Sequence, residues 1–257
     1  MNEPTIPRFR LGLLLWTAGM LGVIGITFFL LPRLLADLPR TLGREAPSVP
    51  ISVLLAASLA QSGVLLALVV WIGVALGGAV RLHAPAFEAA VSGTSIMRAL
   101  RPQVLPGIVG GVLGGLVLIM FVRLAPPELA SAQLRLDAPL VVRVLYGGMT
   151  EEILLRWGIM TLLVWAAWRF LQHRTGEPAA VWVWLAIVLS AVVFGLGHLP
   201  AARLLIGGLT PTVIVFVIAA NSLFGIVAGY LYWRYGLESA MIAHALAHVL
   251  NYIVGAL

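Results

Sequence analysis

Polar and apolar positions along the chain fall into seven long apolar stretches separated by short charged connections. The stretches cover roughly residues 11–32, 51–80, 105–122, 140–168, 181–199, 211–233 and 238–255. About 20 predominantly apolar residues suffice for one helix to cross a bilayer. The pattern therefore predicts an all-α fold, a polytopic membrane helix bundle with about seven transmembrane helices. A transmembrane β-barrel is excluded, because its strands are short segments of alternating polarity. The first stretch follows a short basic leader with Arg8 and Arg10. It is too long for a signal-peptide core and lacks a small-residue cleavage pattern, so it reads as a retained anchor helix.

The polar residues inside these stretches divide the chain. Residues 1–137 hold three apolar spans with few polar atoms and read as N-terminal scaffold helices; residues 138–257 hold spans with ionisable groups and read as the working part. The Pro32–Pro50 and Arg81–Pro102 segments read as connections. In the second, Phe87, Ile96, Met97 and Leu100 interleave with Arg98 and Arg101, the composition of an amphipathic helix at the membrane interface. Glycines 110, 111, 114 and 115 in the third span permit close helix approach. Pro200 and Pro211 bracket a short connection that would leave His198 near the end of its span.

Composition agrees with a membrane protein: 61% hydrophobic residues and a mean hydropathy of +1.05. The formal net charge is +6, and apart from histidine every basic residue is arginine. These arginines lie mostly between spans, where lipid headgroups are their partners, so the bilayer and not nucleic acid accounts for the charge. Arginine counts in alternate loops are nearly balanced and favour a cytoplasmic N-terminus by only a small margin. The chain has no cysteine, which excludes disulfides, thiolate nucleophiles and cysteine-ligated metals.

Ionisable residues inside a span are costly, about 2.5–3.5 kcal/mol each on insertion scales, and face one another or a wet cavity. Glu151 and Glu152 are adjacent, and Arg156 stands four residues after Glu152, on the same helix face. Glu152 and Arg156 can pair, whereas Glu151 is rotated about 100° away. Glu151 thus lacks a local partner, as suits a general base. His198 ends the run Phe194-Gly-Leu-Gly-His198, and His244 and His248 share a face of the last span, with Asn251 on nearly the same side. The His pair has metal-ligand spacing, but Ala245 stands where a zincin needs glutamate. His83 and His173 lie in loops and look incidental. Together the spans offer a carboxylate, three imidazoles and an amide, a set able to bind a metal or to activate water and hold an oxyanion. Either use points to hydrolysis within the membrane.

Glu151-Glu152-Ile-Leu-Leu-Arg156, Phe194-x-x-x-His198 and His244-x-x-x-His248 follow in order the three motifs of the CPBP family. That family comprises type II CAAX prenyl endopeptidases and bacteriocin-processing or immunity proteins, also called Abi. The resemblance covers residues from about 138 to 252. It implies a helical bundle around a membrane-embedded cavity, in a multi-pass protein of the bacterial cell (inner) membrane. It also implies that Glu151 and His198 polarise the attacking water, that His244 and the residue at 248 stabilise the oxyanion, and that Glu152 and Arg156 hold the first motif. Two departures stand out: position 248 is His where the family usually has Asn, and Trp157 separates Arg156 from Gly158.

The expected activity is that of an intramembrane endopeptidase acting on a membrane-associated protein or peptide, with or without a divalent metal. Should a metal be held, Glu151, His198, His244 and His248 are its candidate ligands, and this donor set favours zinc over magnesium or calcium. No organic cofactor is expected. A non-catalytic immunity or scaffold member of the same family is one alternative, and a proton- or metal-coupled transporter is another. The chain lacks the paired, inverted halves common in transporters.

Overall fold

The computed structural model describes residues 6–43, 48–133 and 138–255. Every regular element among them is helical. Helix α1 spans Arg8–Leu42, α2 Ile51–Leu76, α3 Pro85–Ser92, α4 Ile96–Arg123 and α5 Pro127–Gln133. Helix α6 covers Leu140–Leu171, α7 Ala180–Ile206, α8 Pro211–Tyr235 and α9 Leu237–Gly255. Seven of these are long and apolar enough to cross a membrane, and the protein is an integral multi-pass membrane protein. The expected domain boundary at residue 137 falls beside residues 134–137, which lie outside the described residues.

Three expected connections are helical instead. Helix α1 continues through Pro32 and Pro39 as far as Leu42, into the segment read as a loop; residues 44–47 of that segment lie outside the described residues. The Arg81–Pro102 segment is not one interfacial helix. It splits into the short α3 and the first turns of α4, with Ser95 between them accepting a hydrogen bond from the Arg98 amide. Helix α7 runs through Pro200 to Ile206, so His198 lies about two turns inside its span. At Pro32, Pro102 and Pro200, which lie within spans, the physical reason is shared: in lipid a broken helix leaves backbone groups without partners, at several kcal/mol each, so an apolar run stays helical through a proline.

Small residues and a few hydrogen bonds join the helices, since apolar burial supplies little drive between helices in lipid. A side chain at Gly107, Gly111 or Gly115 of α4 would press on Ile242, Leu246 or Leu250 of α9, and one at Gly114 on Phe224 of α8. Trp157 of α6 lies against Gly73 of α2 and donates to the Val70 carbonyl at 3.2 Å. Thr150 of α6 donates to the Gly19 carbonyl of α1 at 2.7 Å, and Trp16 of α1 to Gly63 of α2 at 2.9 Å. The largest buried cluster accordingly draws on both the N-terminal helices (Leu15, Leu66) and the C-terminal ones (Ile187, Ala243).

The start of α9, which carries two of the motif histidines, is anchored to the α2–α4 connection. Glu238 accepts from the Ala86 and Phe87 amides at 2.7 and 2.9 Å, capping α3 from across the bundle. The Ser239 amide donates to Gln103 Oε1 at 3.1 Å, and the Leu237 amide to the His83 carbonyl at 3.0 Å. His83 is therefore part of this joint, with its ring 3.2 Å from Glu88 Oε1, rather than incidental. Its bond to Glu88 holds the imidazole above its ordinary pKa, against the opposing effect of burial.

Overpacking a tight helix contact costs about 1–3 kcal/mol. Gly111→Leu, which drives a side chain into Leu246, is expected to lower the thermal unfolding temperature of the purified protein. Gly78→Leu, at a glycine with open space around it, is expected to leave that temperature nearly unchanged.

Candidate active site

Helix α6 is widened where it carries the first motif. Its Tyr146–Glu151 and Ile153–Met160 turns are π-helical, geometry that recurs at functional sites. Consecutive residues of a helix point in different directions, and this separates the two glutamates as the helix-face reading anticipates. Glu151 enters a cavity, while Glu152 is fully buried behind it.

Glu152 ties the motifs together. Its Oε2 lies 3.2 Å from Arg156 Nε, with both side chains essentially inaccessible. The contact is an ion pair off the line of a hydrogen bond, and neither of these two atoms meets hydrogen-bond geometry with a described residue. The other oxygen, Oε1, accepts a 2.7 Å bond from His244 Nδ1. Arg156 Nη2 donates to the Gly225 carbonyl of α8 at 3.0 Å, and its guanidinium carbon stands 5.2 Å from the centre of the Phe194 ring. One buried pair thus reaches α7, α8 and α9 from α6. Burying both charges is tolerable only because each is compensated.

The remaining motif residues converge on Glu151. His198 Nε2 lies 3.8 Å from Glu151 Oε1, and His244 Nε2 lies 3.8 Å from Glu151 Oε2. Both gaps exceed direct hydrogen-bond range, and a gap of this size is where a bridging water belongs. The opposite nitrogen of each ring is fixed: His198 Nδ1 stands 2.9 Å from the Phe194 carbonyl, and His244 Nδ1 faces Glu152. A carbonyl only accepts, so Nδ1 of His198 carries the hydrogen and Nε2 of the neutral ring offers a lone pair. His244 has the same tautomer when neutral and becomes a donor at Nε2 only with a second proton. His248 stacks on His244 with ring centres 4.9 Å apart. Gly147 makes room for it, since a side chain there would overlap His248 Nε2.

These four residues line a cavity of about 410 Å³, whose far walls are apolar and include Leu118, Phe121 and Val217. Phe194 packs edge-on against His198, 4.7 Å between ring centres. Asn251 does not line the cavity. Tyr146, Asn221 and Phe224 do, and the sequence reading passed over them. Asn221, a lone amide in an otherwise apolar span, was a visible signal; Tyr146 and Phe224 carried none, since aromatics are ordinary in membrane helices.

The imidazoles and carboxylate suit zinc by type, and the Nδ1 atoms of His198 and His244 have the outer-shell partners that metal-binding histidines use. Among the described residues no three His, Asp or Glu side chains already stand as a ready ligand set.

Residues 136–250 match the family model for type II CAAX prenyl endopeptidases, Rce1-like. This segment contains every motif residue above, and the match supports a membrane protease of the CPBP family. The chain matches no curated protein and no solved structure.

Removing one partner of a buried ion pair costs about 3–5 kcal/mol, mostly from the charge left behind. Arg156→Ala is expected to lower thermal stability by that order. The double variant Glu152→Gln/Arg156→Met, which leaves no stranded charge, is expected to lose markedly less; equal losses would mean that the charges are not what matters.

Proposed function

We propose that the protein is an intramembrane endopeptidase of the bacterial inner membrane, in which Glu151 and His198 activate water to hydrolyse a peptide bond of a membrane-associated protein or peptide. The observation that carries this reading is the placement of two acceptors, Glu151 Oε1 and His198 Nε2, 3.8 Å apart at the cavity wall. A water donating one hydrogen to each turns a lone pair toward the cavity, where a carbonyl carbon would sit. The match of the site-bearing segment to a protease family supports the same reading.

In this mechanism Glu151 takes a proton from the water as its oxygen adds to the carbonyl carbon. The oxyanion that forms accepts hydrogen bonds from His248 and from His244 protonated at Nε2. The Glu152 carboxylate, 2.7 Å from Nδ1, holds the His244 ring with Nε2 toward Glu151. Glu151 then returns its proton to the leaving amine nitrogen as the carbon–nitrogen bond breaks. Phe194 and Arg156 position rings and carboxylates and do not touch the reacting atoms. A zinc ion, if held, would be ligated by Glu151, His198, His244 and His248 and would supply Lewis-acid polarisation of water. The version written here runs through glutamate and histidine alone. The apolar far walls suit a substrate with an apolar or lipidated segment beside the scissile bond.

Glu151→Gln keeps shape and removes the base. Purified protein carrying it is expected to lose cleavage of a substrate found in a membrane-peptide library, with its unfolding temperature unchanged; wild-type cleavage by this variant would displace Glu151 from the role. His248→Ala is expected to lose about 10²–10³ in turnover, as for one oxyanion donor. His248→Asn, which keeps a donor, is expected to retain appreciable activity. Exhaustive chelation, checked by elemental analysis, is expected to leave activity intact. Loss that zinc restores would transfer water activation to a metal.

A further inference from the structure

Each hydrolytic cycle consumes a water molecule at Glu151, so the site needs a supply that works with substrate in place. The main cavity is a poor supplier. Apart from Arg143, Tyr146 and Asn221, its walls beyond the motif residues are apolar, and a substrate placed at Glu151 would take up the space water would otherwise use.

A second cavity, of about 280 Å³, lies among α1, α2 and α6, on the other side of the Tyr146–Glu151 segment. Five hydroxyl-bearing side chains line it: Thr27, Ser58, Ser62, Tyr146 and Thr150. Ser58 and Ser62 are four apart on α2 and share a face, so they form a polar file opposite the α6 hydroxyls. A buried water needs two to four polar partners, and hydroxyls both donate and accept. These hydroxyls set the recess apart from the apolar far walls of the first cavity.

The two cavities share a wall. Ile26 and Tyr146 line both, so the partition at that point is a single layer of side chains. Thr150 faces the second cavity and the next residue, Glu151, faces the first, which sets both spaces at one depth along α6.

We propose that the second cavity is a hydrated recess that supplies water to Glu151 from behind, with Tyr146 as the partition between supply and site. The supply role rests on the hydrolytic reading of Glu151; the hydration does not.

The absence of native cysteine allows a direct test with single-cysteine variants in lipid vesicles. Ser62→Cys places a thiol in the recess. Val64→Cys, two residues on at similar depth, places one on the outward face of α2, where Val64 is 72% exposed. A charged, water-soluble methanethiosulfonate reagent is expected to modify the first about a hundredfold faster, given the cost of carrying charge into hydrocarbon. Equal, slow modification of both would overturn hydration of the recess. Ser62→Leu and Ser58→Leu, which fill the recess away from the catalytic groups, are expected to lower kcat several-fold with KM unchanged. An unchanged kcat in folded variants would overturn the supply role. The labelling needs no substrate, so it decides hydration even if Glu151→Gln retains cleavage and the peptidase reading fails.

Discussion

The Glu152–Arg156 ion pair is the constraint on which the site depends. Neither side chain has measurable access to solvent, and no bulk water can compensate either charge. Each must therefore find its partners within the bundle, and those partners lie on three other helices: His244 on α9, the Gly225 carbonyl on α8 and the Phe194 ring on α7. Because a misplaced helix would strand a charge, the pair acts as a positional lock. It also sets the tautomer of His244, and thereby decides which ring nitrogen faces the reacting atoms.

Around that lock the bundle is held by close approach more than by apolar burial. Apolar surface gains little by leaving lipid for protein, so glycines such as Gly111 and Gly225 matter through the distances they allow. Hydrogen bonds between helices add to this, among them those near the site and near the start of α9. Glu238 and, from α4, Gln103 fix the start of α9, the helix that presents His244 and His248. Six residues on, Glu152 holds the His244 ring itself.

The two neighbouring carboxylates stand in different surroundings. Glu152 is consumed by Arg156 and His244, while Glu151 faces the cavity with both oxygens close to imidazole nitrogens but not bonded to them. One residue of helical rotation separates an acid engaged within the bundle from one open to the cavity.

The sequence by itself determined the seven spans, the helical class and the three motifs, because the cost of charge in lipid leaves few reasons for Glu151, Glu152, His198, His244 and His248 to be there. It also determined the Glu152–Arg156 pairing, since four-residue spacing on a helix is local geometry. Helix ends at Pro32, Pro102 and Pro200 were misread, because proline is a breaker in water but lipid penalises the break more. What only the tertiary structure decided are contacts between residues far apart in the chain: Glu152 with His244, Glu151 between His198 and His244, and Asn221 and Tyr146 on the cavity wall. Local periodicity says which face of a helix a residue occupies. Which helix lies opposite that face is set by packing of the whole bundle, and no spacing along one span encodes it.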